Sequence, residues 1–220
     1  MPLRAVVFDF GLVLSGQPNM EAHAAMVRIS GLSLDRFETY YWADRLAYDQ
    51  GTLSGLHFWQ NFVRDAGLKL HPSTVDELNR LDALYWTTQD PAMLAWQAEL
   101  KKRGLLTGIL SNMGDSVLAS LEKHFDWLPN FDVLVWSFQL GMIKPDPAIY
   151  HHLLNRLGTR PEETLFIDDR HANVEAAQKL GIHAIEFTTV EKLRDDLVAA
   201  GLDRELPLPC ETGLRPAVSN

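Results

Sequence analysis

Apolar residues recur along this chain in two rhythms, and the change from one to the other divides it. Ala5-Val6-Val7-Phe8 is an unbroken apolar run rich in β-branched and aromatic side chains, which predicts a strand buried on both faces. From Pro18 to Thr88 the apolar spacing becomes three and four, which predicts four helices: Met20 to Ile29, Leu34 to Tyr48, Leu56 to Ala66 and Val75 to Trp86. Breakers at 31–33, 49–52 and 67–72 separate them, and Ser73 with Asp76 has the spacing of a capping box. After Pro91 helix and strand alternate, with helices predicted over 92–103, 115–124, 146–157, 172–180 and 190–200. The intervening strands are expected over 106–110, 133–136, 164–168 and 183–187, and Thr188 with Glu191 suggests a second capping box.

Alternating strands and helices call for a doubly wound parallel sheet with right-handed crossovers. The first strand belongs to that sheet, so the helical block interrupts it. The expected architecture is an α/β Rossmann-like core, residues 1–15 and 89–204, with an inserted four-helix cap over 16–88. The tail 205–220, with Pro207, Pro209 and Pro216 and no periodicity, is expected to be irregular.

The candidate chemistry sits where apolar runs end. Asp9 follows the first strand, Ser111-Asn112 the second, Lys144-Pro145 the run Leu140 to Ile143, and Asp168-Asp169 the run Leu165 to Ile167. In an open parallel sheet the carboxyl ends of strands share one edge, so residues far apart in sequence can meet there. Each cluster has an ordinary alternative. Asp9 could close a turn, Ser111 could cap a helix, Lys144 could be a solvated surface lysine, and one aspartate of the pair could be a cap. The acidic pair is the most telling cluster, because adjacent carboxylates at the end of a buried strand repel each other unless a cation lies beside them. Magnesium suits an all-oxygen site and keeps waters that a phosphate oxygen can replace. A carboxylate nucleophile, a hydroxyl, an ammonium and an acidic pair together are what magnesium-dependent phosphoryl transfer requires.

Composition narrows the class. A net charge of −9 over 220 residues argues against general affinity for nucleic acid or anionic membranes. Cys210 is the only cysteine, which excludes an intramolecular disulfide and fits a reducing compartment. The apolar run before Asp9 is too short for a signal-peptide core or a membrane span, so a soluble, cytoplasmic protein is expected. The aromatic residues Tyr40, Tyr41, Trp42, Tyr48, Phe58, Trp59, Tyr85 and Trp86 are expected mainly as the core of the helical block, with some share in a substrate wall. Nothing in the sequence sets the oligomeric state, and a homodimer through that block is compatible with it.

The four clusters in this order resemble the haloacid dehalogenase-like hydrolase superfamily, over Val6 to Phe187 and including a small helical cap after the first strand. Gly51-Thr52-Leu53-Ser54 with Phe58-Trp59, and Leu140-Gly141-Met142-Ile143-Lys144-Pro145, resemble the phosphatases similar to bacterial glucose-1-phosphate phosphatase and the N-terminal domain of soluble epoxide hydrolase. The resemblance implies that Asp9 forms an aspartyl-phosphate and ligates magnesium. It also implies that Ser111 and Asn112 contact phosphate, that Lys144 stabilises its charge, and that Asp169 ligates the metal with Asp168 in support. The substrate would be a small phosphorylated metabolite, a sugar phosphate among the candidates. One departure stands out: where most phosphatases of the superfamily carry an acid two residues after the nucleophile, this chain has Gly11, whose main-chain oxygen still suits the metal. Proton transfer from such an acid contributes ~10²–10⁴-fold. Related branches lacking it include metal-independent 2-haloacid dehalogenases, which would use Asp9 on carbon, and a phosphonate branch needing a cap lysine, where Lys69 is the sole lysine between Gly16 and Thr88. A non-catalytic module that binds a phosphorylated ligand or a partner protein is the alternative from another class.

Overall fold

In the computed structural model, residues 2–208 are described. Five strands, β1 (Ala5–Phe8), β2 (Leu106–Ser111), β3 (Val133–Trp136), β4 (Thr164–Asp168) and β5 (His183–Glu186), form one parallel sheet in the order β3-β2-β1-β4-β5. Phe8 lies beside Ile109 on one side and Ile167 on the other, so β1 is central and its end is level with those of β2 and β4. Strand order reverses at β1, and in such sheets the crevice at the reversal takes the ligand.

Both faces of the sheet are covered. Side chains alternate along β1: Val6 and Phe8 pack with Trp96 and Leu100 of α6 (Pro91–Lys102), Leu121 of α7 (Asp115–His124) and Leu193 of α11 (Val190–Ala199). Ala5 and Val7 face Ile149 and Leu153 of α9 (Pro147–Leu157) and Ala177 of α10 (His171–Lys179). Fully burying each such side chain contributes roughly 1.5–3 kcal/mol, and Phe8 adds edge-on contacts with Trp96 and Phe131.

Between β1 and α6 lie α1 (Met20–Ser30), α2 (Leu34–Ala43), α3 (Arg45–Asp49), α4 (Gly55–Asp65) and α5 (Pro72–Trp86). The helix predicted from Leu34 to Tyr48 is thus two, broken at Asp44. Asp is a weak helix former, and here its carboxylate accepts from Asn61 Nδ2 at 2.9 Å, a tertiary bond that periodicity cannot reveal. Two predicted caps also move. Pro72 occupies the first turn of α5, so His71, not Ser73, is its cap, accepting from Ser73 N–H at 3.3 Å. Thr189, not Thr188, caps α11 through the N–H of Lys192 at 3.1 Å. A further short helix, α8 (Ser137–Leu140), follows β3 directly. The start of the expected irregular tail is packed: Leu206 is buried and Glu205 accepts the N–H of Leu3 at 2.9 Å, while 209–220 lie outside the described residues. No helix among the described residues is long and apolar enough to cross a membrane.

The inserted helices have a hydrophobic core of their own, in which Tyr41, Tyr48, Phe58 and Trp59 are buried with Phe37 and Phe62, whereas Trp42 is exposed. A charged cluster is buried among these rings. The Arg45 guanidinium lies over Tyr41, Tyr48 and Trp86 at 5.4, 5.1 and 5.5 Å. It pairs with Asp49 at 3.0 Å and Asp82 at 3.1 Å, and Asp82 also accepts from the Tyr41 hydroxyl at 2.6 Å. Asp82→Ala removes one partner of a buried pair and should cost about 3–5 kcal/mol, read as a fall in the urea midpoint.

Candidate active site

Asp9 is the first residue after β1, and the chain leaves the sheet there through a tight turn over Phe10–Leu14. The Asp9 N–H donates to Ile167 O at 2.8 Å, which ties the residue to β4, and its Oδ1 accepts the Phe10 N–H at 2.7 Å. Leu12 takes a left-handed conformation (φ 59), unusual for a residue with a side chain. Ser15 holds that turn, its Oγ accepting the Leu12 N–H at 2.8 Å. Gly11 is extended (φ −60, ψ 126), and a Cβ placed on it would meet nothing within 4 Å.

Ser111 ends β2 and is buried. Among the described residues its hydroxyl makes no hydrogen bond to the protein. The carboxamide of Asn112 is committed elsewhere: Nδ2 donates to Lys144 O and Oδ1 accepts the Lys144 N–H, both at 2.9 Å. Asn112 therefore positions the loop carrying Lys144.

Lys144 lies between α8 and α9, 3 % exposed. Its Nζ is 2.9 Å from Asp9 Oδ1 and 2.6 Å from Asp168 Oδ2, so one ammonium bridges the ends of β1 and β4. Asp168 is fully occupied. Beyond Lys144 it accepts the Arg170 N–H at 2.8 Å and Asn173 Nδ2 at 2.9 and 3.1 Å, and Tyr150 in turn donates to Asn173 O at 2.9 Å. Asn173 is a site residue that pattern reading missed; its only signal is a polar residue on the buried side of α10, five positions after Asp168.

Electrostatically the cluster has an excess of negative charge. Burial pushes the Asp9 carboxyl up to about 7; Lys144 works against this, and Asp168 and Asp169 add to it. Asp169 is raised as well, by burial and then by Asp168, against the pull of Lys144 and Arg170. The same two carboxylates, Asp9 and Asp168, outweigh burial at Lys144 and hold it protonated. One ammonium does not balance three carboxylates. Asp9, Asp168 and Asp169 each offer an oxygen, these lying within 4.8 Å of one another, which suits an oxygen-ligated divalent cation. With Asp168 saturated by hydrogen bonds, Asp9 and Asp169 have the freer oxygens.

Residues 3–181 match the profile of the haloacid dehalogenase-like hydrolases. The chain is 31% identical over 206 residues to phosphatase MT3486 of Mycobacterium tuberculosis (strain CDC 1551 / Oshkosh), covering 90% of this chain and 93% of that protein. It is 30% identical over 210 residues to acyl-CoA dehydrogenase family member 10 of Mus musculus, where the match covers 89% of this chain but only 19% of that longer protein. Among solved structures it is similar to the HAD family enzyme bt-2542 of Bacteroides thetaiotaomicron in complex with magnesium and inorganic phosphate. That match has a TM-score of 0.72 and 21% identity, and it covers 84% of this chain and 94% of that one.

Proposed function

The chain belongs to the haloacid dehalogenase-like hydrolase family, and from that premise we propose that it is a magnesium-dependent phosphatase acting on a small phosphorylated metabolite through an aspartyl-phosphate at Asp9. The observation that carries this reading is the convergence of three carboxylates, two of them paired with one buried lysine, at the strand-order reversal. The similarity to a mycobacterial phosphatase over nearly the whole length of both proteins supports it.

In this reading Asp9 attacks phosphorus in line with the leaving oxygen. Its anchorage to β4 through Ile167 and its bonds to Phe10 and Lys144 hold it in one orientation. Lys144 neutralises charge on the transferring group, and the free Ser111 hydroxyl donates to one of its oxygens. Magnesium, held by Asp9, Asp169 and the Gly11 carbonyl with Asp168 in support, would neutralise phosphoryl charge as a Lewis acid. Asn112 and Asn173 fix Lys144 and Asp168 and do not themselves react.

The test is inorganic phosphate release from a broad phosphomonoester panel with magnesium or with EDTA. Release that needs magnesium and stops on chelation is expected. Halide release from 2-chloropropionate that persists in EDTA, with no phosphate from any ester, would overturn the assignment in favour of dehalogenation. Tight ligand binding without turnover would move it to a binding role.

A further inference from the structure

The crevice at the strand-order reversal is walled by carboxylates, and two cations packed around it are already spent. Lys144 is shared by Asp9 and Asp168, and Arg45 by Asp49 and Asp82. Arg170 is exposed, and among the described residues its guanidinium has no hydrogen bond and no ion pair. Its main chain, by contrast, is fixed at the site. The Arg170 N–H donates to Asp168 Oδ1 at 2.8 Å, and its carbonyl accepts the N–H groups of Asn173 at 3.0 Å and Val174 at 3.2 Å. Asp168 Oδ2 is in turn 2.6 Å from Lys144 Nζ, which is 2.9 Å from Asp9 Oδ1. One carboxylate therefore separates the Arg170 main chain from the lysine that serves Asp9, and only the side chain is free to move.

The neighbours of Arg170 in the chain are engaged elsewhere. Asp169 offers an oxygen to the acidic cluster, and His171 Nδ1 is 2.8 Å from Glu186 Oε2 at the end of β5. On the β2 side of Asp9 the turn after α3 rests on the core loops. Ser137 Oγ donates to the Asp49 carbonyl and accepts the Met113 N–H at 3.0 Å, and Gln50 Nε2 donates to Gly141 O at 3.0 Å. The charge of Arg170 draws down the carboxyls of Asp169 in the core and Asp49 in the inserted helices, each of which burial raises. A guanidinium in this place has a cost. Three carboxylates gather to attract a divalent cation, and a positive charge on the residue after Asp169 repels that cation. An anionic group docked against Arg170 offsets the repulsion, and the planar fork of N–H donors on an arginine matches two oxygens of a carboxylate or phosphate.

We propose that Arg170 is a specificity-determining residue that binds a second anionic group of the substrate, a carboxylate or a further phosphate carried on the leaving group; the inference rests on the phosphatase reading. The transferring phosphoryl group lies against Lys144 and Ser111, and Arg170 takes the oxyanion at the other end of the molecule. A substrate whose leaving group is neutral forfeits that contact. The substrate class narrows accordingly, from any small phosphomonoester to phosphorylated acids and bisphosphates. Because the Arg170 main chain is already held by Asp168, Asn173 and Val174, binding has only one side chain to order.

Two pairs of esters matched in size test this in the presence of magnesium: 2-phosphoglycolate against 2-hydroxyethyl phosphate, and 1,3-propanediol bisphosphate against 3-hydroxypropyl phosphate. Wild-type kcat/KM should favour the anionic member of at least one pair, and the pair in which it does so tells a carboxylate from a second phosphate. Arg170→Gln should lower kcat/KM on that anionic ester ~10–100-fold, the scale of a hydrogen bond to a charged group, chiefly through KM. The loss on its neutral partner should be smaller, so that the preference falls by about tenfold or more. An effect passed through the metal or Asp169 falls on both members alike, and the ratio isolates the contact. Arg170→Lys, which keeps the charge without the fork, should retain part of the preference. Equal rates on both members of each pair in the wild type, or equal losses on both in Arg170→Gln, would overturn the proposal and leave the phosphatase reading standing. If Arg170→Gln loses its thermal transition, Arg170→Lys decides: a reduced preference supports the proposal and an unchanged one opposes it. A wild type that releases no phosphate from any ester overturns both.

Discussion

Asp9→Asn is expected to lower magnesium-dependent phosphate release by ~10⁴–10⁶-fold, the scale of losing a nucleophile. An amide cannot form the acyl phosphate, and no neighbour can take over: Asp168 is held by Lys144, Arg170 and Asn173, and Asp169 lies one residue beyond the strand end. The substitution keeps an oxygen to accept the Phe10 N–H and leaves Lys144 its partner Asp168. It also removes a buried charge that Asp168 and Asp169 repel, so the apo variant should melt no lower than wild type. Phosphate release and thermal melting in EDTA check the two halves. Residual turnover within about a hundredfold of wild type would show that another group attacks phosphorus.

The second large effect belongs to Lys144→Met. It preserves the volume of the stem but leaves Asp9 and Asp168 facing each other without the ammonium now 2.9 and 2.6 Å from them. Loss of one donor to the developing phosphoryl charge should cost ~10²–10³-fold in kcat. Breaking a buried ion pair should cost about 3–5 kcal/mol in the metal-free protein. Because the remaining carboxylates are then wholly uncompensated, magnesium should raise the melting temperature of this variant more than that of wild type. Melting curves with and without magnesium decide the point. An unchanged metal-free stability would mean that the carboxylates share protons among themselves and that Lys144 is not their main counter-charge.

Much of the site was legible because of where parallel strands must end. Asp9, Ser111 and Asp168 each close a run of residues buried on both faces, and a polar side chain there has only the sheet rim to go to. Lys144 was legible through its setting before Pro145, although its pairing with both aspartates was not. For Asn112 the resemblance implies a phosphate contact, and what its place in the chain did not reveal is that its carboxamide is used twice on the backbone of Lys144. Asn173 left almost no trace, because it sits in a helix of ordinary composition.

The same division holds for the fold. Composition and periodicity by themselves determined the five strands, the helices that alternate with them and the helical block after β1, because burying a strand on two faces or a helix on one demands a local pattern. They also determined which polar residues would reach the rim. Only the tertiary structure decided that one ammonium serves two carboxylates, that α2 and α3 part at Asp44, and that the turn after α3 rests on the loops around Asp9. Those outcomes depend on which surfaces meet, and contact between residues distant in the chain leaves no period in the sequence.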